Sequence, residues 1–197
     1  KSIIEPINLI FEVLFMFRLF AKILATPKNV IDVKAFNVDD REIYRVGKQL
    51  ESKIKKLFRG SLAIREVDAG SDNAIEQEMV ALGNAFYDVE RFGVHFVASP
   101  KHADMLMVTG PVSKNMKEAL IRAYETTPNP KIVVAVGDDA IDGGIYKGSY
   151  AVCNGVNEVI PVDYNIPGDP PTPKEIISHL LKLLEAIDKK SNSAVTK

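Results

Sequence analysis

From Ser61 onward, short runs rich in apolar and β-branched residues alternate with longer amphipathic stretches, and this alternation limits the possible folds more than any other feature. The runs are Ser61–Val67, Val94–Ala98, Met105–Val108, Ile132–Val136 and Glu158–Val162, with helical periodicity near Ile75–Tyr87, Lys114–Thr126 and Pro173–Ile187. Strands interleaved with helices in this way predict an α/β domain, a mostly parallel sheet with helices on both faces. Lys131-Ile-Val-Val-Ala-Val136 lacks period-two alternation, as expected of a strand covered on both sides. Five such runs suggest a flavodoxin-like sheet, although the runs do not specify its strand order. Ligands of parallel sheets gather at the carboxyl ends of the strands. Three Gly- and Asp-rich turns follow predicted strands at that edge: Asp68–Ala74 after the first, Gly137–Gly144 after the fourth and Asn165–Thr172 after the fifth. One shared site is therefore expected.

The flanking segments read differently. Residues 1–27 form a predicted amphipathic helix that docks on a membrane or a partner subunit. The apolar stretch Ser2–Ala25 is interrupted by Glu5, Glu12, Arg18 and Lys22. A spanning helix needs about 20 predominantly apolar residues, and each central charge costs roughly 2.5–3.5 kcal/mol. Glu5, Asn8 and Glu12 fall on one stripe and leave a Phe/Leu/Ile face. Only Lys1 precedes the apolar stretch, so a cleavable signal is not expected. Pro27 stops this helix. Residues 28–60 read as a charged helical connector with a solvated face, 61–188 as the sheet domain and 189–197 as a flexible polar tail.

Composition excludes several chemistries. The chain of 197 residues has one cysteine, Cys153, so it cannot form an intrachain disulfide, a cysteine-based zinc site or a four-thiolate cluster by itself. A net charge of −1 provides no global field for nucleic acid. A Walker loop and a Gly-x-Gly-x-x-Gly turn are both absent. No motif links His95 or His179 to Cys153 or a serine, which argues against nucleophilic catalysis and a stand-alone hydrolase. Cys153 reads as a packed thiol and His102 as a turn residue.

The turns carry more specific information. They read Asp68-Ala-Gly-Ser-Asp-Asn-Ala-Ile-Glu76, Val136-Gly-Asp-Asp-Ala-Ile-Asp-Gly-Gly144 and Ile166-Pro-Gly-Asp-Pro-Pro-Thr-Pro173. With Val89-Glu-Arg-Phe-Gly93 and Ser99-Pro-Lys-His-Ala-Asp104, they give five motifs in one order. This set resembles the small (B-type, 20 kDa-like) subunit family of membrane-bound [NiFe] hydrogenases and of NADH:quinone oxidoreductase, complex I. In the hydrogenase branch the turns read Gly-Ser-Cys-Asn-x-Cys-Glu, Gly-Asp-Cys-Ala and Pro-Gly-Cys-Pro-Pro-Thr. The resemblance implies a [4Fe-4S] cluster that relays electrons to the large subunit, with ligand positions at Asp72, Ile75, Asp139 and Asp169 and Arg91 beside the cluster. It also implies three partners: a large hydrogenase or 49 kDa-like subunit, a ferredoxin-like iron–sulfur subunit and a membrane ion-translocating subunit. The implied location is a peripheral arm on the cytoplasmic face of a membrane complex.

At the ligand positions the chain departs from the family. Aspartate offers hard oxygen, better suited to magnesium, calcium or manganese than to an iron–sulfur core, and isoleucine offers no ligand. The expectation is a cluster that is absent or altered. Asp72, Glu76, Asp138, Asp139, Asp142 and Asp169 are left to converge. Converging carboxylates are relieved by a cation or by protonation. Three readings stay open: Asp72, Asp139 and Asp169 hold a hard cation, the carboxylates relay protons, or they are turn residues of a redox-inactive scaffold.

Overall fold

The computed structural model describes residues 40–195 together with 17, 18, 20–22 and 25. The chain divides into two compact units, Lys1–Asp39 and Asp40–Lys197. In the first, residues 17, 18, 20–22 and 25 are helical and exposed. The rest of the predicted N-terminal helix and its proline stop lie outside the described residues. Among the described residues, no helix is long and apolar enough to cross a membrane.

The second unit is built on a five-stranded sheet: β1 (Leu62–Asp68), β2 (Val94–Phe96), β3 (Met105–Thr109), β4 (Ile132–Val136) and β5 (Tyr164–Ile166). The strands lie in the order β2-β1-β3-β4-β5 with every pair parallel, so the fold is flavodoxin-like as the alternation predicts. Around the sheet stand α1 (Asp40–Phe58), α2 (Ala74–Ala81), α3 (Lys117–Thr126), the short α4 (Asp138–Asp142) and α5 (Pro173–Val195). β3 is buried along its whole length, which explains why the central runs lack alternation. Met105 and Met107 face one core with Leu50, Ile54, Leu180 and Leu184, whereas Leu106 and Val108 face the other with Leu120 and Ile160. Each such side chain contributes about 1.5–3 kcal/mol on burial.

Three elements differ from the expectation. The fifth strand is Tyr164–Ile166, not Glu158–Val162, and Val156–Glu158 forms a 3₁₀ turn. Pro161 has no N–H to give a ladder, so pairing begins beyond it. Asp163 leads the strand in: its N–H donates to Val133 O at 2.8 Å, and its Oδ2 accepts from Val133 N at 2.8 Å. α2 stops at Ala81 instead of running to Tyr87, because Asn84 Oδ1 accepts from Phe86 N and Tyr87 N at 2.9 and 3.0 Å. That local turn competes with the helix ladder. α5 continues through Val195, beyond the predicted end at Ile187.

The extension of α5 carries Asp188 onto α1, where its carboxylate accepts from Lys53 Nζ at 2.8 Å and from Lys56 Nζ. These two hydrogen bonds hold the Asp188 carboxyl down at about 2, against an ordinary 3.8. A depressed carboxyl stabilises the fold above its unfolded pKa and loses that contribution as pH falls through its folded pKa. Asp188→Asn is expected to lower the melting temperature at neutral pH. The gap to wild type should close between about pH 4 and pH 2 in thermal denaturation. A gap that persisted below that range would show that the clamp is not ionic.

Candidate functional site

The first turn begins where β1 ends. Asp68 Oδ1 accepts from Gly70 N at 2.8 Å and Ser71 N at 2.9 Å, folding the chain back over the end of β3. Asp72 Oδ1 accepts from Ala74 N at 2.9 Å, and Asn73 takes a left-handed φ of 74° to enter α2. Ile75, on the first turn of that helix, is 2% exposed. Its Cδ1 lies 2.1 Å from where a Cβ on Gly137 would stand, so the side chain fills the space above the second turn.

The second and third turns are tied together. Gly137 N donates to Ile166 O at 2.8 Å and Asp138 N to Gly168 O at 3.0 Å, while Asp138 Oδ1 accepts from Gly168 N at 3.0 Å. Asp139, on α4, is 5% exposed, and its Oδ1 has no hydrogen-bond partner among the described residues. Its carboxyl is raised above the ordinary 3.8 by burial first, then by repulsion from Asp169 and Asp72, with a bond from the Ile145 N–H partly offsetting these. The topology thus brings Asp72, Ile75, Asp139 and Asp169 to one carboxyl edge, with Asp72 and Asp169 exposed and Ile75 and Asp139 buried.

Other sequence candidates lie in different settings. Asp138 is spent on the Gly168 N–H, and Asp142 binds Lys147 at 3.0 Å and Gly144 N at 3.1 Å. Arg91 contacts Asp88 at 3.8 Å and stacks 4.7 Å from the Phe92 ring and 5.8 Å from the Tyr44 ring. His102 closes a short 3₁₀ turn and is exposed, and Cys153 is half-buried with its N–H on Val112 O at 2.8 Å.

The donor set at this edge does not fit an iron–sulfur cluster. It consists of carboxylate oxygens and a packed hydrocarbon side chain where soft thiolates are required. Among the described residues, no group of three or more His, Cys, Asp or Glu side chains is arranged to hold a metal ion.

Sequence reasoning missed Glu66. It lies on β1 with Oε1 buried and unpartnered, and with Glu76 it lines a cavity of about 380 Å³ walled by Met79, Val80 and Phe96. Glu76 accepts from Ser71 Oγ at 2.8 Å and from Thr109 Oγ1. The available signal was an acid inside the apolar run Leu62–Val67. Burial and then the charge of Glu76 raise the Glu66 carboxyl above its ordinary 4.5. A raised carboxyl contributes fully below the unfolded pKa and loses stability as pH rises through the folded one. Glu66→Gln is therefore expected to stabilise the protein at pH 7, with the gain vanishing below about pH 4.5. Chemical denaturation at the two pH values measures this, and an unchanged difference would refute the assignment.

A family model described as NADH ubiquinone oxidoreductase, 20 Kd subunit, matches residues 73–183. The chain belongs to this family. An uncharacterized protein of Methanocaldococcus jannaschii is 47% identical over 66% of the chain and 88% of its own length. An NADH-quinone oxidoreductase subunit of Desulfovibrio desulfuricans is 45% identical over 57% of the chain and 61% of its own length. Formate hydrogenlyase subunit 7 of Escherichia coli is 38% identical over 71% of the chain, which spans 54% of that subunit. Among solved structures, the archaeal membrane-bound sulfane sulfur reductase, a respiratory membrane complex, contains a chain that superposes with a TM-score of 0.59 at 32% identity, covering 77% of each chain. A chain of an NAD⁺-reducing [NiFe]-hydrogenase shares the fold, with a TM-score of 0.50 at 19% identity over 64% of this chain and 92% of that one. The family is a [4Fe-4S]-binding subunit type of complex I-like and hydrogenase-type oxidoreductases.

Proposed function

We propose that this chain occupies the small-subunit position of a membrane-bound, energy-converting oxidoreductase of the hydrogenase or complex I type and acts there as a redox-inactive scaffold. Its neighbours in this reading are a large hydrogenase-type subunit, a ferredoxin-like iron–sulfur subunit and a membrane ion-translocating subunit on the cytoplasmic face. Family membership supports the position. One observation supports the loss of the relay: at the edge where the family carries cluster ligands, Ile75 packs over Gly137 and Asp139 is buried with an unpartnered oxygen. A second reading, that these carboxylates handle protons, draws on burial, and after it the charge of Asp169 and Asp72, raising the Asp139 carboxyl.

The test is purification from detergent-solubilised membranes through a tag on this chain, followed by iron analysis and redox titration monitored by electron paramagnetic resonance. The expected result is co-purification of a large hydrogenase-type subunit, with no reducible signal lost when this chain is removed. A reducible four-iron signal that disappears with this chain would overturn the scaffold.

A further inference from the structure

Arg91 helps to wall a concave surface. A cavity of about 440 Å³ opens between the first turn of α1 and the turn that follows α2, lined by Arg41, Ile43, Tyr44, Ala85, Phe86 and Arg91. Ile43 is buried at its floor, whereas Tyr44 and Phe86 stand 50% and 45% exposed at its rim. The Arg91 guanidinium lies against two rings, 4.7 Å from Phe92 and 5.8 Å from Tyr44, and Tyr44 and Phe92 themselves meet edge to face at 6.3 Å. Stacking fixes the plane of a guanidinium and leaves its N–H edge available.

The charge of this wall is not balanced locally. The carboxylate paired with Arg91 is Asp88, at a long 3.8 Å with both side chains about two-fifths exposed. Arg41 is exposed and makes no ion pair among the described residues. We infer that this cavity docks an acidic segment of a partner subunit, with an Asp or Glu carboxylate across Arg41 and Arg91 and its neighbouring side chains against Tyr44 and Phe86. The planar fork of arginine matches a carboxylate bidentately. Exposed tyrosine, phenylalanine and arginine around a concave centre also make up the composition that carries binding energy in protein interfaces.

The inference rests on the reading that the chain works inside an assembly, and the test separates the two. The tagged complex is prepared with the photo-cross-linker p-benzoylphenylalanine in place of Tyr44, irradiated, and the adduct mapped by mass spectrometry. The expected adduct is one partner peptide with Asp or Glu within a few residues of the link. Its yield should fall at least about tenfold in Arg41→Glu, the factor that corresponds to 1.4 kcal/mol, and fall less in Arg41→Lys, which keeps the charge but loses the fork. Lys117→Glu, an exposed change on α3, should leave it unaltered. Adducts to phospholipid, to a second copy, to the chain's own residues 1–39 or to a partner segment without acidic residues would each overturn the inference. So would co-purified partners with no adduct, while leaving the assembly intact. A chain that purifies alone would overturn both.

Discussion

Cysteine at positions 72, 75, 139 and 169 together is expected to give a protein that takes up about four iron and four sulfide per chain on anaerobic reconstitution, where the unsubstituted chain is expected to take up none. The expectation follows from how the edge is built. The second and third turns are tied by backbone bonds that do not involve the replaced side chains, Gly137 N to Ile166 O and Asp138 N to Gly168 O, and the first loses only the Asp72 Oδ1 bond to Ala74 N while keeping those of Asp68 Oδ1. Replacing Ile75 removes the side chain over Gly137, and replacing Asp139 removes the buried oxygen that faces Gly144. Four soft donors would then stand where three hard ones and a hydrocarbon stand now. Brown absorbance and a reducible electron paramagnetic resonance signal report success. A variant with native circular dichroism and no iron would show that the turns have moved away from the family's ligand geometry. The triple variant that keeps Ile75 is expected to bind markedly less iron, which isolates the contribution of that one side chain.

Gly110→Ala is expected to cost about 3 kcal/mol or more and to displace the first turn as it does so. Gly110 follows β3 with φ at +78°, a left-handed region that an L side chain enters only with strain. A Cβ there would stand 2.4 Å from Ser71 N and 2.7 Å from Gly70 C, and both are backbone atoms that cannot rotate aside. The turn that presents Asp72 would have to lift off the end of β3. Urea denaturation measures the loss, and hydrogen exchange at Ser71 and Ala74 locates it. Gly60→Ala provides the contrast: φ is +106° but nothing lies within 4 Å of the added Cβ, so strain alone applies and the cost should be smaller. Equal losses at the two positions would show that the close approach at Gly110 contributes little.

Much of the architecture could be read from residue order, because burial periodicity is a local property. The unbroken apolar runs at Met105–Thr109 and Ile132–Val136 mark strands covered on both faces, and glycine and aspartate after them mark turns at the carboxyl edge. Where local signals conflicted, the reading failed. The run Glu158–Val162 looks like a strand, but Pro161 lacks an N–H and pairing with β4 begins only after Asp163 engages Val133. The lysines of residues 28–60 read as a solvated face, and the structure adds that Leu50 and Ile54 on the other stripe of Asp40–Phe58 are fully buried in the core they share with α5.

The candidate site divides along the same line. Residue types and spacing by themselves determined the family, the single parallel sheet, the common edge of the three turns, and the absence of thiolates from it, because a donor atom's chemistry does not depend on where the chain goes. Only the tertiary structure decided that Asp139 is buried while Asp72 and Asp169 stay exposed, that Ile75 packs over Gly137, and that Arg91 stacks on Tyr44 and Phe92. Those outcomes depend on which segments remote in sequence arrive at the same place. Burial, the carboxyl shifts that follow from it and ring stacking are all set by such neighbours.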